Sequence, residues 1–156
     1  MMNELSENIK GRKKISVVIP VYYNEKSLCY LGEKLDVLEK NFAKKNMDLE
    51  IIFIDDGSGD NSFKELLKIK QKLLNVKIIK LTRNFGAITA VKTGKQFVTG
   101  DCFTVFPADL QDPIELIYEM VEYWLKGYKY IIAVRKTRKD PIITKIFASI
   151  YYRILK

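Results

Sequence analysis

The chain predicts an α/β fold with a mostly parallel sheet and helices on both faces. Three observations lead there. Five short runs rich in Val, Ile and Phe alternate with four segments whose apolar residues recur every three or four positions. The first run, Ile15-Ser-Val-Val-Ile19, is apolar almost without interruption, as in a strand covered on both faces. The polar residues able to do chemistry stand directly behind the runs, at what becomes one edge of a parallel sheet once right-handed crossovers join the strands.

Taken in order, residues 1–14 are polar, end in Lys10-Gly-Arg-Lys-Lys14 and have no apolar centre. They read as a flexible N-terminus, neither a signal peptide nor a membrane span. Ile15–Ile19 is the first strand, stopped by Pro20, and Pro20-Val-Tyr-Tyr-Asn-Glu25 is a loop. A helix follows, with Leu28, Leu31, Leu35, Leu38 and Phe42 on one face and Lys34, Glu39, Lys40 and Lys44 on the other. Leu49–Ile54 is the second strand, ending in Asp55-Asp-Gly-Ser-Gly-Asp60. Ser62 and Glu65 have capping-box spacing and open a lysine-rich helix to about Leu74. Val76–Leu81 is the third strand, followed by Thr82-Arg-Asn-Phe-Gly86 and a small-residue helix from Ala87 to Val98 that ends at Gly100.

Cys102–Phe106 reads as a buried, central strand and Pro107–Gln111 as a loop. Asp112-Pro-Ile-Glu115 reads as a helix start, with Asp112 as N-cap, Pro113 as first helical residue and Glu115 as capping-box partner. That helix runs to Lys126 and closes at Gly127, and Tyr130–Val134 is a fifth strand. There is no internal repeat or low-complexity stretch.

Composition narrows the chemistry. At 156 residues, 47% hydrophobic and 29% charged, the chain is of ordinary globular make-up and large enough for a core without staples. Cys29 and Cys102 fit no metal or redox spacing, so reduced thiols in a cytosolic setting are expected. No run reaches the roughly 18 apolar residues a span needs. The chain contains no histidine, which excludes histidine bases, triads and histidine-ligated zinc. The net charge of +8 is concentrated at one end: residues 129–156 hold eight Lys/Arg against Asp140 alone. That pattern suits a local anionic partner rather than nucleic acid, for which the basic stripe interleaved with stacking aromatics is absent.

Within the strand ends, Asp112 and Glu115 are accounted for by helix capping, but Asp109 and Gln111 are not. Two oxygen-bearing side chains two residues apart at a strand's carboxyl end suit a hard cation, Mg²⁺ or Mn²⁺, that also holds a diphosphate. No G-x-x-x-x-G-K-[ST] loop is present, and no G-x-G-x-x-G follows the first strand. Asp55 could accept from a base N–H or ribose hydroxyl, and Asp56 could do likewise or orient the turn. The competing reading of Asp-Asp-Gly-Ser is turn chemistry alone.

Ser16-Val-Val-Ile-Pro-Val-Tyr-Tyr-Asn-Glu25, Ile54-Asp-Asp-Gly-Ser58, Arg83-Asn-Phe-Gly86, Gly100-Asp101 and Ala108-Asp-Leu-Gln-Asp-Pro113 resemble, in order and spacing, family 2 of the glycosyltransferases. The branch most resembled is that of polyprenyl-phosphate sugar transferases, including dolichol-phosphate mannose synthase. The resemblance implies a GT-A fold over residues 15–140 and an inverting, metal-assisted transfer from a UDP- or GDP-linked sugar. It places Pro20, Tyr22, Glu25 and Asp55 against the nucleoside, with Asp56 and the loop from Arg83 to Gly86 close by. It gives Asp109 and Gln111 the metal, Mg²⁺ or Mn²⁺, and gives Arg135 and Arg138 the phosphate of a polyprenyl acceptor. Asp109, Arg135 and Arg138 are thereby the candidate catalytic residues. One departure stands out: the family's Asp-x-Asp reads Pro107-Ala108-Asp109. Proline has no side-chain donor, so weaker metal binding or more reliance on substrate diphosphate oxygens is expected.

The basic end carries its own pattern. Ile142, Ile143, Ile146, Phe147, Ile150, Tyr151, Ile154 and Leu155 form a narrow apolar stripe, with Lys145, Ser149, Arg153 and Lys156 elsewhere. Residues 141–156 thus read as a basic amphipathic helix that seeks an anionic membrane surface at the cytoplasmic face. The competing reading is a helix packed on the core or at a homo-oligomer contact. The family usually continues beyond this point, so the chain is expected to be truncated after residue 156. Two alternatives to a lipid acceptor remain. One is transfer to a saccharide or protein in cell-surface polysaccharide synthesis; the other is a nucleotide-binding module without turnover.

Overall fold

The structure, a computed structural model, describes residues 11–134. Strands and helices alternate: β1 (Lys13–Val21), α1 (Glu25–Lys44), β2 (Met47–Asp55), α2 (Ser62–Lys72), β3 (Val76–Lys80), α3 (Ala87–Lys95), β4 (Cys102–Val105) and α4 (Leu116–Leu125). Among the described residues the four strands form one parallel sheet in the order β3-β2-β1-β4. The expected α/β class holds, with helices on both faces.

Right-handed crossovers explain which helix covers which face. From β1 to β2 to β3 the chain adds strands in one direction, so α1 and α2 lie on one side. From β3 it returns past β1 to β4, which puts α3 on the other side. The first face holds the main core. α1 buries Leu28, Leu31, Leu35, Leu38 and Phe42, each at most 1% exposed, against Val17 and Ile19 of β1 and Ile51 and Phe53 of β2. Side chains of this size contribute on the order of 2 kcal/mol each before the entropy of ordering them is subtracted. The second face is smaller: Val18, Ile52 and Ile54 meet Ala90 of α3. A Cβ on Gly94 would collide with Ile54 and Val18, so the small residues of α3 are what let it lie close to the sheet.

At the amino ends of the strands a polar cluster is built into this second face. The Glu50 carboxylate, 1% exposed, accepts bonds from Lys77 Nζ (2.7 Å), Thr99 Oγ1 (2.7 Å), Thr99 N–H (2.9 Å) and the Ser16 hydroxyl. Ser16 Oγ in turn accepts from Gly100 N–H at 3.0 Å. Burial pushes the Glu50 pKa up, but the bonds from Lys77, Ser16 and Thr99 outweigh it and lower the value to about 2. The cluster fixes the turn that leads from α3 into β4.

Several local expectations change. β1 does not stop at Pro20 but continues to Val21. In a parallel ladder alternate residues bond to opposite neighbours. Val21 C=O accepts from Asp56 N–H on the β2 side (2.8 Å), and Val18 C=O accepts from Phe106 N–H on the β4 side (3.0 Å). Position 20 therefore faces β4, whose pairing has already ended at Val18–Val105, so the missing N–H costs no bond. Among the described residues β4 is a short edge strand, not a strand buried on both faces. Phe103 and Val105 are 45% and 42% exposed, because among the described residues α3 packs mainly on β1 and β2; Lys95 Nζ of α3 lies 5.9 Å from the Phe103 ring.

Tyr130–Val134, expected as a fifth strand, forms none among the described residues. It pairs with no strand among the described residues, and Tyr130, Ile132 and Val134 are exposed. A β-branched run becomes a strand only where its side chains find a face to pack on. The Ser62–Glu65 capping box does not form. The Ser62 hydroxyl is taken by Asn24 N–H (2.9 Å), and Glu65 pairs with Lys68 instead. α4 starts at Leu116, after a tight turn in which Leu116 N–H donates to Pro113 C=O and Ile117 N–H to Ile114 C=O. Pro113 thus opens a turn, and Glu115 occupies the N-cap position without a side-chain cap bond. Residues 1–10, Arg135, Arg138 and the helix expected over 142–156 lie outside the described residues.

Candidate functional site

Because every strand is parallel, the loops after β1, β2, β3 and β4 leave the same edge of the sheet. The chain reverses its direction of strand addition at β1, with β2 on one side and β4 on the other. In open α/β sheets a crevice opens at that switch point, beyond the strand carboxyl ends. Tyr22 and Tyr23 leave β1 on one side of it, and the Pro107–Gln111 loop leaves β4 on the other.

Asp55 closes β2 and is 0% exposed. Its Oδ1 accepts from Ser58 N–H at 3.0 Å, whereas its Oδ2 is buried with no partner among the described residues. A buried carboxylate oxygen without a donor is costly, so it marks a place where a donor is wanted. Asp56 is used differently. Its Oδ1 accepts from Phe85 N–H (2.8 Å) and its Oδ2 from Gly86 N–H (2.9 Å). Both oxygens thereby hold the loop after β3, where Arg83 lays its guanidinium 4.9 Å from the Phe85 ring. Gly57, at φ +72°, lets this contact form: a Cβ there would lie 2.5 Å from the Arg83 carbonyl carbon.

The loop after β1 is clasped to the loop after β2. Tyr23 N–H donates to Ser58 Oγ (3.1 Å), Asn24 N–H to Ser62 Oγ (2.9 Å) and Glu25 N–H to Asp60 Oδ2 (3.2 Å). In return the Glu25 carboxylate accepts from Asn61 N–H (3.1 Å) and Asn61 Nδ2 (3.0 Å). The Asn61 bonds lower the Glu25 pKa. Burial raises that of Asp60, but bonds from Ser62 and Glu25 bring it below its ordinary value. Tyr22 and Tyr23 stand out from this clasp, 45% and 56% exposed, with rings edge to face at 4.7 Å. Tyr23 is held at φ +54°, a left-handed conformation unfavourable for a bulky residue.

On the other side of the crevice Asp109 and Gln111 are both exposed. Leu110 between them has φ +59°, which turns the chain so that Gln111 N–H reaches Asp109 Oδ1 at 3.1 Å. Left-handed leucine is uncommon, and such strain concentrates at functional loops. Oxygen donors of this kind fit Mg²⁺ or Mn²⁺. Among the described residues, however, no group of three or more His, Cys, Asp or Glu side chains is arranged to hold a metal ion. Asp109 and Gln111 would therefore supply only part of a coordination sphere, the rest falling to ligand oxygens and water.

The structure thus brings Pro20, Tyr22, Glu25, Asp55, Asp56 and Arg83–Gly86 to the ends of β1, β2 and β3 and the joined segments that follow them, and puts Asp109 and Gln111 on the loop after β4. Sequence reasoning missed Ser58, Asp60 and Asn61 as links between the loops, and it read Ser62 as the cap of its own helix. The signal was the density of acceptors just before α2, more than a single helix start needs.

The family model described as "Glycosyl transferase family 2" matches residues 16–154. An uncharacterised glycosyltransferase of Bacillus subtilis is 38% identical over 141 residues, covering 90% of this chain and 43% of that protein. The undecaprenyl-phosphate 4-deoxy-4-formamido-L-arabinose transferase of Klebsiella pneumoniae is 36% identical over 145 residues, covering 92% and 43%. The chain therefore spans less than half the length of the curated relatives it matches. Among solved structures, residues 1–349 of TarS from S. aureus, in complex with UDP-GlcNAc, superpose with a TM-score of 0.60 at 19% identity. That match covers 81% of this chain and 38% of that one. A mannosyltransferase of Pyrobaculum calidifontis, in complex with GDP-Man and Mn²⁺, gives a TM-score of 0.59 at 20% identity, covering 73% and 33%. With the GT-A-type fold and the ordered strand-end motifs, these matches lead to one conclusion: the chain belongs to glycosyltransferase family 2.

Proposed function

We propose that this chain is the nucleotide-sugar-binding part of an inverting glycosyltransferase that moves a sugar from a nucleoside diphosphate to a polyprenyl phosphate at the cytoplasmic membrane face. The observation that carries the donor half is the buried, unpaired Oδ2 of Asp55 at the switch-point edge. A base or ribose supplies the N–H or O–H donor that this oxygen lacks. Relatives of the fold solved with UDP-GlcNAc and with GDP-Man support a nucleoside diphosphate as the ligand class.

In this reading Asp55 orients the nucleoside, Tyr22 lines its face, and Asp56 keeps the Arg83–Gly86 loop in place beside it. Asp109 and Gln111 would hold a divalent cation shared with the diphosphate, which would supply charge neutralisation for the leaving group. A polyprenyl phosphate is supported by the name of the Klebsiella relative and by the missing histidine. A phosphate oxygen is already ionised at neutral pH, whereas a sugar hydroxyl needs a base. Arg135 and Arg138 are the residues assigned to that acceptor phosphate, because guanidinium forks match phosphate geometry.

Calorimetric titration with UDP and with GDP, each with and without Mn²⁺, tests the donor half. The expected result is metal-assisted binding of one nucleotide, lost in Asp55→Ala. Binding of neither nucleotide under any condition overturns the reading.

A further inference from the structure

Asp60 is bonded to the first residue of two different helices. Its Oδ1 accepts from Ser62 N–H, at the start of α2, at 3.0 Å. Its Oδ2 accepts from Glu25 N–H, at the start of α1, at 3.2 Å. Neither helix has a side-chain cap from its own N-cap residue. One carboxylate therefore does what two separate caps ordinarily do, and it places a negative charge where both helix dipoles favour it. The other bonds of the clasp run the same way, from one loop to the other. A cap serving a single helix needs none of these crossings.

The consequence falls on Asp55 and the tyrosines. Ser58 donates its N–H to Asp55 Oδ1, which decides that Oδ2 is the free oxygen. The same Ser58 accepts Tyr23 N–H on its hydroxyl. The separation between the tyrosine loop and the Asp55 oxygen is thus set through the clasp, and Asp60 is the member that ties both helix starts into it. Glu25, whose two oxygens are both engaged by Asn61, belongs to the clasp as well.

We infer that Asp60 is a positioning residue for the nucleoside site, acting with Glu25 by fixing the β1–α1 loop against the β2–α2 loop rather than by touching the ligand. This inference rests on the donor-site reading above. It also changes what Glu25 does, from nucleoside contact to spacer.

The test is nucleotide titration of Asp60→Ala, Asp60→Asn and Glu25→Gln, with Glu50→Gln as a comparison. Glu50 sits in a buried network at the opposite ends of the strands, so its variant lowers stability without reaching the edge loops. At a temperature where circular dichroism shows all four variants folded, Asp60→Ala should weaken UDP or GDP binding by about tenfold. Asp60→Asn, which keeps one acceptor oxygen, should lose less, and Glu25→Gln should fall between Asp60→Asn and wild type. Glu50→Gln should bind as wild type does. The ratio of affinities with and without Mn²⁺ should be unchanged in Asp60→Asn, because Asp109 and Gln111 lie on another loop. If Asp60→Asn and Asp60→Ala melt earlier but bind as tightly as wild type, Asp60 is only a helix cap and the inference fails. If Asp60→Ala does not fold, the Asn and Gln variants decide by the same criterion. If wild type binds no nucleotide, the donor-site reading fails first and takes this inference with it.

Discussion

Gly57 and Arg83 approach so closely that a single added methyl group would sit 2.5 Å from the Arg83 carbonyl carbon and 2.8 Å from Asn84 N. The contact joins the turn after β2 to the loop after β3, and Asp56 fastens it with bonds to Phe85 and Gly86. Gly57 also lies at φ +72°, where a side chain is strained whatever the space around it. Gly57→Ala should therefore cost at least about 2 kcal/mol in urea-monitored unfolding. It should also weaken nucleotide binding, since the clash pushes the Arg83 loop away from Asp55. A variant with wild-type stability would show that the two loops do not pack in this way.

How much of this was legible in the sequence depends on the range of the forces involved. The α1 face was readable because Leu28, Leu31, Leu35, Leu38 and Phe42 all obey one local period. The strand-end placement of Asp55, Arg83 and Asp109 was readable because parallel strands put every following loop on one edge. What failed depended on partners distant in sequence. Ser62 looked like its own helix's cap, but its hydroxyl serves Asn24, 38 residues away. Pro20 looked like a strand stop, and only the early end of β4 shows that its missing N–H faces no acceptor. Cys102–Val105 has a buried strand's composition, yet among the described residues Phe103 and Val105 remain exposed, with Lys95 Nζ 5.9 Å from the Phe103 ring.

Asp109 and Gln111 are both exposed, and in the proposed reading they are the two oxygen donors to the cation, with Pro107 standing where the resembled family has a further carboxylate. Free protein should bind Mn²⁺ weakly, and nucleoside diphosphate should strengthen that binding by adding its own oxygens. Pro107→Asp should tighten Mn²⁺ binding to the free protein by about tenfold or more, and Asp109→Ala should abolish the effect of nucleotide on it. Titration followed by Mn²⁺ electron spin resonance reads both. Tight Mn²⁺ binding by the unmodified free protein would refute the shared-site account.

Among the described residues no helix is long and apolar enough to cross a membrane. Residues 129–156 carry eight cations against one anion. Each Lys or Arg near an anionic bilayer contributes about 1 kcal/mol. In flotation with vesicles containing phosphatidylglycerol, the 156-residue chain should bind at low salt and release as salt is raised. A chain ending at residue 141 keeps five of those cations but loses Lys145, Arg153, Lys156 and the apolar stripe, and should bind much more weakly. If that shortened chain instead loses thermal stability while the full one ignores vesicles, residues 142–156 pack on the domain and the surface role is wrong.

The Glu50 cluster makes stability depend on acid in a defined window. Its folded pKa of about 2 lies below the ordinary 4.5, because bonds from Lys77, Ser16 and Thr99 favour the charged form over the cost of burial. A depressed carboxylate pKa contributes stability that is fully present above the unfolded value. That contribution is lost as pH falls from about 4.5 toward 2, where the folded state also takes up the proton. Glu50→Gln has no proton to gain there. It also keeps only one acceptor oxygen for the four donors that meet Glu50, and it removes the charge paired with Lys77. At pH 7 it should be about 2 kcal/mol less stable than wild type. Between pH 5 and 2 the two curves should converge, because wild type loses this contribution and the variant has none to lose. Urea titrations across that range measure the gap directly; a gap that stays constant with pH would place the stabilising charge elsewhere than Glu50.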